Sequence, residues 1–223
     1  MQIERHGLIM LSTEAAQRIA SRVWNEWFKQ SNLSQSEWYL ALLNGLIPAI
    51  ARRGSEEEFQ YGIPVGISLP VRLQSQRVRL TECLKENEVA RYVTPYQVAS
   101  LPHMSTSFSL QVFSELAENW PFAKEQLGVW GSNALQIITG LEYTDKSSDL
   151  DILIRGCNKA QLAVVSDYIN ELEKKHNIRI DVEIALENGY GINLKEFIQP
   201  GKRILAKGLT DVVLLDKTEL AIN

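Results

Sequence analysis

The chain has 223 residues and a net charge of −4, with 45% hydrophobic and 22% charged residues. The length suits one large or two small domains, and the acidic balance argues against non-specific binding to nucleic acid. Two cysteines are too few for a disulfide framework and no apolar run reaches the length of a membrane span, so we expect a cytoplasmic protein with no membrane or nucleic-acid partner.

The first part of the chain predicts short helices and strands. Apolar residues three and four positions apart predict an amphipathic helix over residues 13–30. Ser34 and Glu37 form a capping-box pattern for a second helix, which Gly45 would end. The acidic run that follows Ser55 is typical of a solvated polar loop. We predict strands over residues 46–51, 61–69 and 77–80.

The later part alternates helices with apolar strands. Thr94 before Pro95 marks a helix start, and Asn158 is expected to cap a long helix that ends near His176. We predict further helices over residues 105–119 and 133–139. We predict strands over residues 128–130, 149–154, 178–185, 204–206 and 211–215. These elements predict an α+β protein with an N-terminal domain over residues 1–98 and a C-terminal domain over residues 99–223, which has a mixed sheet and flanking helices.

Asp149 and Asp151 are the strongest chemical signal in the sequence. Residues two apart on a strand point to the same face, so the two carboxylates would lie side by side and repel. Such a pair usually needs a cation between its members. A structural alternative exists for Asp149, because the two serines before it are typical of a cap or turn. Against it, the apolar sequence continues as a strand, where Asp151 would be costly without a partner.

Two further features complete a candidate site. The Gly131–Ser132 turn comes before a predicted helix and can bring backbone amides close to a phosphate. Asp181, on the next strand, can supply a third carboxylate, and Glu183 on the same face is an alternative. This order of elements resembles the layout of the nucleotidyltransferase fold. We therefore predict that Asp149, Asp151 and Asp181 are catalytic and hold two Mg²⁺ ions, with Mn²⁺ possible in their place.

Several basic residues are candidates for binding phosphate groups of a donor. A guanidinium group suits phosphate because it forms paired hydrogen bonds. The candidates are Arg52, Arg53 and Arg77 in the first part of the chain and Lys207 near the end. The alternative for the arginines is a solvated strand edge, and this alternative is stronger for Arg79.

The central run of the sequence resembles one family closely. Residues 131–143 followed by residues 148–154 are similar to malonate decarboxylase holo-acyl-carrier-protein synthases, also called phosphoribosyl-dephospho-CoA transferases. The Thr-Gly-Leu-x-Tyr segment at residues 139–143 and the long gap between Ser132 and Asp149 separate this family from the wider nucleotidyltransferase superfamily. Weaker similarities follow the same order over most of the chain, including the Lys207 region.

The resemblance implies a specific reaction. The donor would be 2'-(5''-triphosphoribosyl)-3'-dephospho-CoA, and the acceptor a serine of the acyl-carrier subunit of malonate decarboxylase, with pyrophosphate released. The N-terminal domain would close over the donor. Two alternatives stay open: an adenylyltransferase that acts on another protein or small molecule, and a non-catalytic nucleotide-binding module.

Overall fold

A computed structural model describes residues 3–28, 37–73, 76–104, 107–220 and 222. The chain divides into two compact units, Met1–Val93 and Thr94–Asn223. Each unit contains helices and one β-sheet, so the predicted α+β class is confirmed. The functional division at residues 98 and 99 stays a prediction. Among the described residues, every helix is too short or too polar to cross a membrane.

The N-terminal unit is built on an antiparallel sheet. Its strands are β1 (Leu8–Leu11), β2 (Ala49–Ala51), β3 (Ile63–Leu73), β4 (Gln76–Leu84) and β5 (Val89–Val93). They lie in the order β4-β3-β2-β1-β5. Its helices are α1 (Thr13–Val23), α2 (Glu37–Leu43) and α3 (Glu56–Tyr61). The apolar face of α1 is fully buried, which accounts for the helical spacing seen in the sequence.

Three predictions for this unit need correction or limits. The helix expected to reach residue 30 ends at Val23, and a π-helical segment, Trp24–Phe28, follows it. The loop predicted after Ser55 was wrong, because α3 begins there. Ser55 Oγ accepts from the Glu58 amide at 3.2 Å, and the Glu58 carboxylate accepts from the Ser55 amide at 3.0 Å. This capping box stabilises a helix in a run of acids whose charge alone favours a solvated loop. Ser34 lies outside the described residues.

The C-terminal unit is built on a mixed sheet, as predicted, and its described residues form six strands where five were predicted. The strands are β6 (Leu127–Val129), β7 (Leu150–Arg155), β8 (Ile180–Ala185), β9 (Gly191–Asn193), β10 (Arg203–Lys207) and β11 (Val212–Asp216). Their order is β11-β10-β9-β8-β7-β6. Among the described strands of this sheet, only β7 and β8 pair in parallel, and the long helix between them provides the crossover that a parallel pair requires.

Five α-helices in the described residues of this unit accompany the sheet. They are α4 (Pro95–Ala99), α5 (Phe108–Glu118), α6 (Gly131–Thr139), α7 (Lys159–His176) and α8 (Leu194–Ile198). The capping predictions for α4 and α7 are confirmed, since Thr94 Oγ1 accepts from the Gln97 amide and Asn158 Oδ1 from the Gln161 amide. Strand β9 and helix α8 were not predicted, because both are too short to leave a periodic pattern.

Candidate active site

The Gly131–Ser132 turn forms the first residues of α6, which begins two positions earlier than predicted. Gly131 has a φ of +66°, and a Cβ atom at this position would collide with the carboxylate of Asp151. The Trp130 amide also donates to the Asp151 carbonyl at 3.1 Å. Glycine is therefore required here by both conformation and space. The consequence is that the amides of the first turn of α6 lie next to Asp151, and amides in this position can bind an anion.

Asp151 and Asp181 face one another across the parallel strand pair β7–β8. They are in register on β7 and β8, so their side chains leave the same face of the sheet. Asp149 lies one residue before β7 and two before Asp151. We call Asp149, Asp151 and Asp181 the acidic cluster. All three lie where the parallel strands β7 and β8 begin. Because parallel strands begin at the same end of a sheet, this topology places the three carboxylates together.

The environment of Asp151 disfavours its ionised form. Burial raises the pKa of Asp151 from its ordinary value of 3.8 to about 7, and the nearby carboxylates of Asp181 and Asp149 add to the rise. Arg179 acts in the opposite direction on the same pKa. A bound cation would reduce the repulsion between this half-buried carboxylate and its two neighbours.

Two described side chains, those of Arg179 and Asn193, contact carboxylates of the acidic cluster. Arg179 Nη1 lies 3.6 Å from Asp149 Oδ2, and both side chains are substantially exposed, so solvent weakens this pair. Asn193 Nδ2 donates to Asp181 Oδ1 at 2.8 Å, while its Oδ1 accepts from the Glu196 amide at the start of α8. Asn193 therefore links the helix terminus to the carboxylate of Asp181.

The chemistry of the acidic cluster suits Mg²⁺, which prefers carboxylate oxygens. As the side chains stand, however, no three acidic, histidine or cysteine groups in the described ranges are arranged to hold an ion. Asp149 is turned towards Arg179 and Asp181 towards Asn193. Both are side-chain contacts, which rotation about χ angles can replace without moving the strands. The residue types therefore fit the ion, and their present rotamers do not.

Glu183, the alternative third acid, occupies a different position. It is opposite Leu153 in the register of β7 and β8, two residues further along the strands than the Asp151–Asp181 pair. Its side chain is buried and packs against Gly191, where a Cβ atom would collide with the Glu183 carboxylate. Asp181 is thus the acid that faces Asp151.

Lys207 lies further along the same sheet. It is the last residue of β10, is exposed, and pairs in register with Gly191 of β9. Because Gly191 pairs in turn with Ala185 of β8, Lys207 leaves the same face as Asp181. Its strand is separated from β8 by β9 alone.

The three predicted arginines belong to the N-terminal unit. Arg52 forms an ion pair with Glu58 and donates from Nη1 to the Arg53 carbonyl at 2.8 Å. Arg77 lies on β4, opposite Arg72 of β3. The Arg52 guanidinium therefore already has a carboxylate partner in its own unit.

Sequence reasoning missed Arg179 and Asn193 as neighbours of the acidic cluster. Arg179 stands two residues before Asp181, so its position in the sequence was a usable signal. Asn193 precedes Glu196 by three, which is the spacing of a helix cap. Nothing in that spacing indicates that the side-chain Nδ2 of Asn193 would donate to Asp181.

The model of the family described as phosphoribosyl-dephospho-CoA transferase MdcG C-terminal domain matches residues 98–218. The chain belongs to this family. The match covers more than half of the chain and contains the whole acidic cluster together with the Gly131–Ser132 turn. The resemblance noted in the sequence to phosphoribosyl-dephospho-CoA transferases is therefore confirmed.

Curated relatives extend the similarity beyond that domain. A phosphoribosyl-dephospho-CoA transferase of Xanthomonas axonopodis pv. citri is 27% identical over 217 residues, which cover 97% of this chain and 95% of the relative. A protein of the same name from Bradyrhizobium diazoefficiens is 28% identical over 171 residues, covering 76% and 74% of the two chains. No solved structure matches the chain significantly.

Proposed function

We propose that this protein transfers the phosphoribosyl-dephospho-CoA group from 2'-(5''-triphosphoribosyl)-3'-dephospho-CoA to a serine of the acyl-carrier subunit of malonate decarboxylase. The observation that carries the proposal is the similarity to relatives named phosphoribosyl-dephospho-CoA transferase along nearly the full length of both chains. The acidic cluster beside a helix N-terminus supports it, because this is the equipment that transfer from a triphosphate needs.

The proposed reaction is a displacement at the α-phosphorus of the donor. The serine hydroxyl oxygen of the carrier forms a new bond to phosphorus, the bond from phosphorus to the oxygen bridging the α- and β-phosphates breaks, and pyrophosphate leaves. The hydroxyl proton must leave the oxygen during this step. Asp181 faces the same surface as Asp151 and is our candidate to accept it.

The other residues bind and orient the donor. Backbone amides at Gly131 and Ser132 hold phosphate oxygens at the start of α6. Arg52, Arg53, Arg77 and Lys207 neutralise the remaining phosphate charge. Two Mg²⁺ ions, or Mn²⁺ in their place, bound by Asp149, Asp151 and Asp181 would stabilise the negative charge that develops on the phosphate oxygens and on the leaving pyrophosphate.

Donor choice tests the proposal. The purified protein is incubated with the unmodified carrier subunit and either triphosphoribosyl-dephospho-CoA or ATP, and the intact mass of the carrier is measured. We expect a mass increase equal to one phosphoribosyl-dephospho-CoA group with the first donor only, and none on a carrier whose acceptor serine is replaced by alanine. An adenylyl group added from ATP would instead support the adenylyltransferase alternative.

A further inference from the structure

Helix α6 carries two buried polar side chains that the site described above does not use. Asn133 is 0% exposed and Gln136 is 7% exposed, although the helix is otherwise amphipathic. Residues three apart on a helix lie on one face. Buried amide groups are costly unless their hydrogen bonds are satisfied, so the partners of these two residues indicate what they do.

Asn133 connects α6 to the backbone of the acidic cluster. Its Nδ2 donates to the Asp149 carbonyl at 3.1 Å, and its Oδ1 accepts from Ser109 Oγ at 2.8 Å. Ser109 lies on α5 and is only 1% exposed. The result is a buried hydrogen-bond chain that runs from α5 through α6 to Asp149.

Gln136 binds the loop between α6 and β7 at residues that come before Asp149 in the chain. Its Oε1 accepts from the Tyr143 amide at 3.0 Å and from the Thr144 amide at 2.9 Å, and it also accepts from Thr144 Oγ1 at 2.8 Å. The ring of Tyr143 is itself buried. The loop between α6 and β7 is therefore attached to α6 twice, near its start and at its end.

We propose that Asn133 and Gln136 are positioning residues that fix Asp149 relative to the Gly131–Ser132 turn. Both side chains belong to the helix whose first turn is the proposed phosphate site, so a single rigid element sets the separation between that turn and Asp149. An unattached loop of this length would leave Asp149 with many positions. Small displacements of a catalytic group reduce rates strongly. The catalytic significance of this arrangement rests on the proposed function, whereas the attachment of the loop does not.

Amide hydrogen exchange of residues 141–149 tests the inference in the protein alone. Gln136→Leu removes the acceptor of three hydrogen bonds, whereas Gln136→Glu keeps acceptor oxygens in the same place. We expect exchange in this loop to rise about tenfold in Gln136→Leu, with Gln136→Glu closer to the wild type and the amides of β7 and β8 unchanged in both.

Ser109→Ala is a milder second variant, because it deletes one hydroxyl and leaves Asn133 in place. Its matched control is Ser114→Ala on the same helix, since Ser114 Oγ donates to the Leu110 carbonyl within α5 and lies near His103. We expect faster exchange around Asp149 and weaker Mg²⁺ binding, measured by calorimetry, in Ser109→Ala only.

Exchange requires neither donor nor carrier, so its result does not depend on whether the proposed transfer occurs. In the transfer assay we expect kcat to fall with little change in the KM of the donor. Wild-type exchange in residues 141–149 of both Gln136→Leu and Ser109→Ala would overturn the inference. A rise spread equally over β7 and β8 would also overturn it, because it would show a general loss of stability.

Discussion

Asp151 and Asp181 stand directly opposite one another on the parallel strands β7 and β8, with their side chains on one face of the sheet. Burial is the main cause that raises the pKa of Asp151 to about 7, and the nearby carboxylates of Asp181 and Asp149 add to the rise. The fold therefore brings together acidic groups that repel when ionised. This is a cost to stability that a bound cation would offset.

Asp151→Asn should stabilise the metal-free protein at high pH. The folded protein holds the Asp151 proton up to about pH 7, whereas the unfolded chain releases it near its ordinary pKa of 3.8. The wild type should thus lose stability as pH rises between these values and stay level above them. The asparagine variant lacks this loss, which amounts to about 1.4 kcal/mol for each pKa unit.

Urea unfolding at pH 4 and pH 8 in the presence of a chelator measures this difference. We expect the variant to gain on the wild type between the two pH values, and added Mg²⁺ to restore part of the difference by stabilising the wild type. Parallel pH profiles for the two proteins would contradict the raised pKa.

Gly131→Ala should destabilise the C-terminal unit and abolish transfer. The added methyl group would displace the Asp151 carboxylate in a backbone conformation that already favours glycine. Gly140→Ala is the matched control, since Gly140 has a similar φ of +71° and open space around it. We expect a loss of about 1–2 kcal/mol from the strained backbone in both variants, with a further loss in Gly131→Ala. Equal urea midpoints for Gly131→Ala and Gly140→Ala would contradict a close approach of residue 131 to the Asp151 carboxylate.

Arg179→Gln should change stability little, because its pair with Asp149 is exposed. Such pairs contribute about 0–1 kcal/mol. We expect the variant to bind Mg²⁺ at lower concentration, since Asp149 no longer has a competing cation. A thermal-shift titration with Mg²⁺ measures this. An unchanged or higher Mg²⁺ requirement would mean that Arg179 does not compete with an ion for Asp149.

Arg77→Ala should raise the KM of the donor with a smaller effect on kcat, as expected for a residue that binds phosphate in ground and transition states alike. Arg79→Ala, two residues further along β4, is the control and should leave KM near the wild-type value. If both variants have the same KM for the donor, Arg77 is a solvated residue of the strand edge and does not bind phosphate.

The order of the main elements in the C-terminal unit could be predicted from sequence. Apolar runs marked β7 and β8, and Asn158 marked the start of α7, because these elements are long or carry strong capping residues. The sequence could indicate that Asp151 and Asp181 belong to one site. It could not give the register that places them directly opposite one another, because register depends on tertiary packing.

Other features were missed. Helix α3 was wrongly expected to be a loop because of its acidic run, although Ser55 and Glu58 have the spacing of a capping box. The contact of Asn193 with Asp181 joins residues of neighbouring strands and is specified by the sheet. The ion pair of Arg52 with Glu58 likewise depends on α3, which was not expected. Cytoplasmic location and the covering role of the N-terminal domain stay predictions.

The most direct test of the central claim is the intact mass of the acyl-carrier subunit after incubation with triphosphoribosyl-dephospho-CoA, Mg²⁺ and either the wild type or Asp151→Asn. Circular dichroism first establishes that the variant is folded. We predict that the wild type adds one phosphoribosyl-dephospho-CoA group and that the variant is slower by at least about a hundredfold. Transfer by the folded variant at the wild-type rate would contradict the role of the acidic cluster.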